Sequence, residues 1–152
     1  MHVMNERWKC RYLDLARQVS TWSKDPSTRV GAVVVGAKGQ VLCQGYNGFP
    51  RGVDDSPERL ADRPTKYRYT VHAEKNAIYN ATMNGVSLDG ATLFVVGLPV
   101  CEECAKAIVQ VGIKEVVVPV QDVPAAWHDS CQFAADLFKE VGITYTEEKS
   151  FQ

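Results

Sequence analysis

Residues 30–46 read Val30-Gly31-Ala32-Val33-Val34-Val35-Gly36-Ala37-Lys38-Gly39-Gln40-Val41-Leu42-Cys43-Gln44-Gly45-Tyr46. Val30 to Val35 is rich in β-branched residues and stops at a glycine, which predicts a strand. Val41 to Tyr46 reads as its hairpin partner across the turn Gly36-Ala37-Lys38-Gly39. A hairpin this early means that the sheet is not purely parallel. Downstream, helical and strand patterns alternate. A helical pattern runs from about His72, with Ala73, Ala77 and Ala81 four apart. Thr92 to Val96 reads as a strand, Glu103 to Val111 as a helix and Glu115 to Val118 as a strand. Asp129 to Val141 reads as an amphipathic helix on Phe133, Leu137, Phe138 and Val141, and Ile143 to Thr146 as a last strand. This alternation predicts an α/β sandwich around a mixed sheet.

Upstream of the hairpin, Trp8, Tyr12, Leu15, Val19 and Trp22 are spaced by four and three, as on one face of an amphipathic helix. Lys24-Asp25-Pro26-Ser27 closes that helix with turn chemistry. Residues 47–70 are polar, carry Pro50, Pro57 and Pro64, and read as a loop. A loop of that length within a compact domain is functional or disordered.

The 152 residues, 45% of them apolar, fit one globular domain over 1–152, with no internal repeat or linker. Against 18 Asp and Glu stand 17 Lys and Arg, a net charge of −1. That balance excludes the basic footprint of a general nucleic-acid binder, although a local basic pocket for one phosphate remains compatible with it. No apolar run approaches the length of a membrane-spanning helix. The first residues lack the apolar core of a signal peptide, so the reading is cytoplasmic. Five cysteines are an odd number, poorly suited to a disulfide framework in a chain of this size.

Two short segments carry chemistry: His72-Ala73-Glu74 and Cys101-Glu102-Glu103-Cys104. Alone, the Cys-x-x-Cys fits half of a structural zinc site, a redox pair or two unrelated thiols. A lone His-x-Glu fits a buried, hydrogen-bonded histidine. Together, one imidazole and two thiolates make three ligands for tetrahedral Zn²⁺ and leave a fourth position for water. Cys10, Cys43, Cys131, His2 and His128 are candidate fourth ligands, but none forms a second close pair, so the open site is favoured. The other three thiols then read as buried apolar side chains. Residues i and i+2 do not share a helix face. His72 and Glu74 therefore reach one metal-bound water only at a helix start, and Cys101 after Pro99-Val100 demands the same. Two helix N-termini would then face the anionic cluster.

His-x-Glu followed by Pro-Cys-x-x-Cys is the signature of the zinc nucleobase deaminases, and the chain resembles the deoxycytidylate (dCMP) deaminase family. Ser23-Lys24-Asp25-Pro26-Ser27-Thr28-Arg29-Val30-Gly31-Ala32, Gly45-Tyr46-Asn47-Gly48, Thr65-Lys66-Tyr67 through Asn76-Ala77-Ile78, Cys104-Ala105-Lys106 and His128-Asp129-Ser130 are similar to family segments. The likeness runs over residues 6 to 146. One departure is Val100, where the superfamily has proline directly before the first cysteine; altered detail rather than lost activity is expected.

The resemblance implies a cytidine-deaminase-like three-layer sandwich with a five-stranded mixed sheet flanked by helices. It also implies one catalytic Zn²⁺ on His72, Cys101 and Cys104, and hydrolysis of dCMP to dUMP and ammonia, a supply of dUMP for thymidylate synthesis. Zinc-activated water adds to cytosine C4 while Glu74 shuttles a proton to N3 and then to the amino group. Asn47 is a candidate for base or sugar, or a turn residue of the Asn-Gly type. Arg29 and Lys24 are candidates for the phosphate, or solvated cations, and Ser23 adds a hydroxyl. Trp127 and His128 open the last helix where the family closes its pocket; Trp127 either stacks on the pyrimidine or packs in the core. Many relatives are homohexamers, activated by dCTP and inhibited by dTTP, which makes Gly45, Tyr46, Asn47 and Gly48 candidate effector contacts, with Mg²⁺ accompanying a triphosphate. The loop from Asn47 to Tyr69 is a further place for an effector or a subunit contact. Expected partners are thus a small nucleotide and copies of the chain, with neither nucleic acid nor membrane. The rivals are a deaminase of another heterocycle, a zinc-stabilised binding module and a thiol redox protein.

Overall fold

The computed structural model describes residues 4–152. Asn5 opens helix α1 (Glu6–Ser20), its side chain accepting the Trp8 amide at 3.0 Å, which satisfies a first-turn donor. The helix buries Tyr12, Leu13, Ala16 and Val19. The stripe expected from the large apolar residues is therefore only half right: Trp8, Leu15 and Trp22 are 41%, 38% and 49% exposed. Small residues decide the contact. A Cβ on Gly31 would lie 2.0 Å from the Ala16 carbonyl oxygen, so glycine and alanine bring helix and sheet together on a face that large side chains do not mark. The helix also stops at Ser20, before the Lys24–Ser27 turn.

Strands β1 (Gly31–Val35) and β2 (Val41–Tyr46) pair antiparallel, with Ala32 opposite Gly45 and a register shift between Val34 and Val35. On its other side β1 pairs antiparallel with β3 (Thr92–Val96), and β4 (Glu115–Pro119) and β5 (Thr144–Glu148) continue in parallel. The five-stranded order is β2-β1-β3-β4-β5. The mixed sheet predicted from the early hairpin is thus present.

Alternate residues of the central strands face two cores. Val33, Val35, Phe94 and Val117 pack with α1. Ala32, Val34, Leu93, Val95, Val116 and Val118 face the opposite layer, formed by α4 (Ala73–Met83), α5 (Glu102–Gln110) and α6 (His128–Val141). Burial on both faces is why β1 is apolar throughout rather than alternating. The edge strand β2 is held by α4. A Cβ on Gly45 would lie 2.3 Å from the Ala77 nitrogen, and Asn76 and Asn80 donate to the Tyr46 and Gln44 carbonyls at 2.8 and 2.7 Å.

Two further expectations are corrected. The segment 47–70 is not all loop: it holds α2 (Pro57–Ala61) and α3 (Arg63–Tyr69), capped by Ser56 and Asp62. Each has proline in its first turn, where a missing N–H costs no helical hydrogen bond. Helix α6 buries Ala134 and Phe138, whereas Phe133 and Val141 are 48% and 46% exposed. Among the described residues no helix is long and apolar enough to cross a membrane.

Candidate metal centre and its cleft

His72 and Cys101 are the N-cap residues of α4 and α5, both with extended backbone and neither using its side chain to cap. Their side chains are free to turn toward each other. The cap that Cys101 does not provide comes from α6, where the Ser130 hydroxyl accepts the Glu102 amide at 2.9 Å. Cys104, in the first turn of α5, completes the group. The His72 Nδ1 lies 3.3 Å from the Cys101 Sγ and 3.4 Å from the Cys104 Sγ, and the three donor atoms fall within 4.8 Å of one another. A tetrahedral zinc with ordinary bond lengths separates imidazole nitrogen and thiolate sulfur by about 3.6 Å, so the donor set fits that ion. Among the described residues no fourth His, Cys, Asp or Glu joins the cluster. Cys10, Cys43, Cys131 and His128 stand outside it, and His2 lies outside the described residues. Of the three spare thiols only Cys43 is buried; Cys10 and Cys131 are half-buried, contrary to the apolar packing expected of all three.

The close approach of the donors couples their electrostatics. The Cys104 thiol beside Cys101 lowers the Cys101 pKa strongly, with help from His72, while the same neighbour and burial push Cys104 up. The thiolate in turn raises His72. Glu74, in the first turn of α4, is 4% exposed. Burial pushes its carboxyl up to about 7, against the lowering influence of its backbone amide and His72.

This cluster borders a cleft of about 360 Å³ into which His72, Glu74 and Cys101 project, a size within the usual range for small-molecule sites. Asn47 lines it and is 6% exposed. Its Oδ1 accepts the Val30 amide at 2.8 Å and its Nδ2 donates to the Thr28 carbonyl at 2.9 Å. Trp127 does two things at once, lining the cleft and packing partly buried against the core.

The other residues singled out from sequence lie elsewhere. Ser23 is buried, donating to the Asn47 carbonyl at 2.8 Å. Lys24 points outward to Asp55 at 3.1 Å. Arg29 is exposed and donates to the Asp25 carbonyl at 3.4 Å. His128 borders a separate groove with Cys131, its Nε2 2.7 Å from the Val123 carbonyl. Tyr46, Asn47 and Gly48 border a second cavity of about 140 Å³, together with Trp22 and Lys24.

In place of Lys24 and Arg29 the cleft is lined by Arg63, Lys66 and Tyr67 of α3, with Asp25, Ser27 and Thr28 facing them. Read as loop, residues 47–70 give these side chains no common face, and α3 supplies it. Asp62 ahead of Pro64 and Thr65 was the available sign of a helix start.

Residues 6–120 match the family described as the cytidine and deoxycytidylate deaminase zinc-binding region. The chain belongs to this family. A relative named "Uncharacterized deaminase in luxG 3'region" from Aliivibrio fischeri is 39% identical over 94% of this chain and 95% of its own. The deoxycytidylate deaminase of Mus musculus is likewise 39% identical, over 91% of this chain and 78% of its own. Among solved structures, the dCMP deaminase of cyanophage S-TIM5 in complex with dCMP and dUMP superposes with a TM-score of 0.77. It is 27% identical, over 95% of this chain and 99% of that one. Family and fold agree with the resemblance read from the motifs, and the zinc-type donor set belongs to a deaminase.

Proposed function

We propose that this deaminase hydrolyses dCMP to dUMP and ammonia, with the whole chain forming one catalytic unit. The observation that carries the reading is Glu74, a buried carboxylate beside the His72, Cys101 and Cys104 donors and facing a nucleotide-sized cleft. Zn²⁺ on those three residues would supply Lewis-acid activation of water at neutral pH. Glu74 accepts the proton released as water adds to C4, passes it to N3, and returns a proton to the departing amino group. The C4–N bond breaks, ammonia leaves and the C4 carbonyl of uracil remains. Asn47 has one amide N–H beyond that given to Thr28, and this proton would be donated to the sugar or the base edge. Trp127 closes the cleft over the ring. Similarity to enzymes named deoxycytidylate deaminase supports dCMP over other cytosine compounds.

Assembly into homo-oligomers, up to a hexamer, and control by dCTP with Mg²⁺ or by dTTP belong to the same proposal. The cavity beside Tyr46, Asn47 and Gly48 is the place assigned to the effector. The test is metal content and ammonia release from dCMP, CMP, deoxycytidine and dCTP, with and without effector, beside Glu74→Gln. The expected result is zinc retained in the variant and turnover reduced at least about 100-fold. Undiminished turnover in Glu74→Gln overturns the mechanism, and no release from dCMP by the wild type overturns the substrate.

A further inference from the structure

We propose that Arg63 selects the phosphorylated substrate, an inference that rests on the cytosine-nucleotide reading above. Two side chains with permanent positive charge line the cleft among the described residues, Arg63 and Lys66. Lys66 is already committed. It is 5% exposed, and its Nζ donates to the Asp25 Oδ1 at 3.1 Å. Turning it toward a ligand would strand a buried carboxylate without its counter-charge, which is costly.

Arg63 has no such commitment. Among the described residues it makes no ion pair within 4.0 Å. Its guanidinium lies 5.9 Å from the ring centroid of Tyr67, which also lines the cleft. An aromatic neighbour of this kind orients a guanidinium without neutralising it. The planar fork of N–H donors matches phosphate oxygens two at a time. The hydroxyls of Ser27 and Thr28 line the same space and add neutral donors.

The order of burial along the cleft gives the orientation. Glu74 and Cys101 are buried, at 4% and 7% exposure, whereas Arg63 is exposed. A dianionic phosphate is held by the cation at the exposed end, and the buried end beside Glu74 is left for the base, so the nucleotide enters base first. The selection then acts through affinity rather than through the chemical step.

The test compares zinc-loaded wild type, Arg63→Ala and Arg63→Lys, using kcat/KM for dCMP and deoxycytidine, and calorimetric binding of dUMP and deoxyuridine. The expected result for Arg63→Ala is a fall of roughly 10- to 100-fold in the dCMP-to-deoxycytidine ratio of kcat/KM, carried by KM. The preference for dUMP over deoxyuridine falls in parallel, and Arg63→Lys retains part of both. Salt raises the wild-type KM for dCMP and has little effect on that of Arg63→Ala. Ratios equal to wild type in both variants overturn the assignment, including the case in which activity on both substrates falls together. Should the wild type release ammonia from no cytosine compound, the functional reading fails by itself, and the dUMP-to-deoxyuridine comparison still decides Arg63.

Discussion

His72 and Cys101 stand at helix N-caps where most proteins use Ser, Thr, Asp or Asn, and neither caps its own helix. This explains why the site was legible at this scale. Residue type and helix-start spacing together left few other uses for these side chains. The Ser130 cap was not legible, because it comes from a different helix. The partners of Ser23, Lys24 and Arg29 were not legible for a related reason. Sequence shows that a side chain is polar but not that the protein's own carbonyls and carboxylates already engage it. Removing one ligand should be felt directly. Cys104→Ser is expected to lose bound zinc and at least about 10-fold of its metal affinity, read by competition with a chromogenic chelator. Zinc retained at wild-type affinity would show that Cys104 is not a ligand.

Helix α3 is tied to the segment before β1 by the Lys66–Asp25 pair, and Asp25 also accepts the Ser27 and Thr28 amides at 2.8 and 3.0 Å. Burial alone would raise the Asp25 pKa, but those amides and Lys66 together hold it below the ordinary carboxylate value of 3.8. The sign follows from linkage. A carboxylate with a lowered folded pKa contributes stability above its unfolded pKa and loses it as pH falls through the folded value. Asp25→Asn should therefore be less stable than wild type at neutral pH. The difference should shrink as pH drops below about 4, as followed by urea unfolding at stepped pH. Lys66→Met, which leaves the buried Asp25 carboxylate without its counter-charge, should cost about 3–5 kcal/mol in the same assay. The limits of β1 to β4 were readable to within a residue because β-branched runs bounded by turns have few alternatives, whereas β5 runs on to Glu148, two residues past its expected end. The contact face of α1 was not, since Ala16 and Gly31 determine it by being small.

Across the whole molecule, the metal donors join the starts of α4 and α5, two helices that share the core on one side of the sheet. A ligand that binds the folded chain and not the unfolded one raises stability by mass action. Chelator-treated protein should melt at a lower temperature than zinc-loaded protein, with recovery on adding Zn²⁺ and no recovery in His72→Ala. Equal melting of the two forms would place the metal outside the cooperative unit. The architecture itself was legible from the hairpin and the alternation that follows it. The cleft was not, because its cationic wall comes from α3, a helix too short to show periodicity.

The hold on Asn47 bears on how the protein ages. An asparagine followed by glycine cyclises readily to a succinimide when the next backbone nitrogen can reach the side-chain carbonyl, and the ring then opens to aspartate or isoaspartate. Here the Gly48 nitrogen donates to the Val71 carbonyl at 3.1 Å, and both ends of the Asn47 amide are engaged. The attack geometry is denied as long as the fold persists. Peptide mapping after prolonged incubation at mildly alkaline pH should find Asn47 intact in native protein and converted in urea. Conversion at equal rates would mean that this corner of the cleft opens far more often than its hydrogen bonds imply.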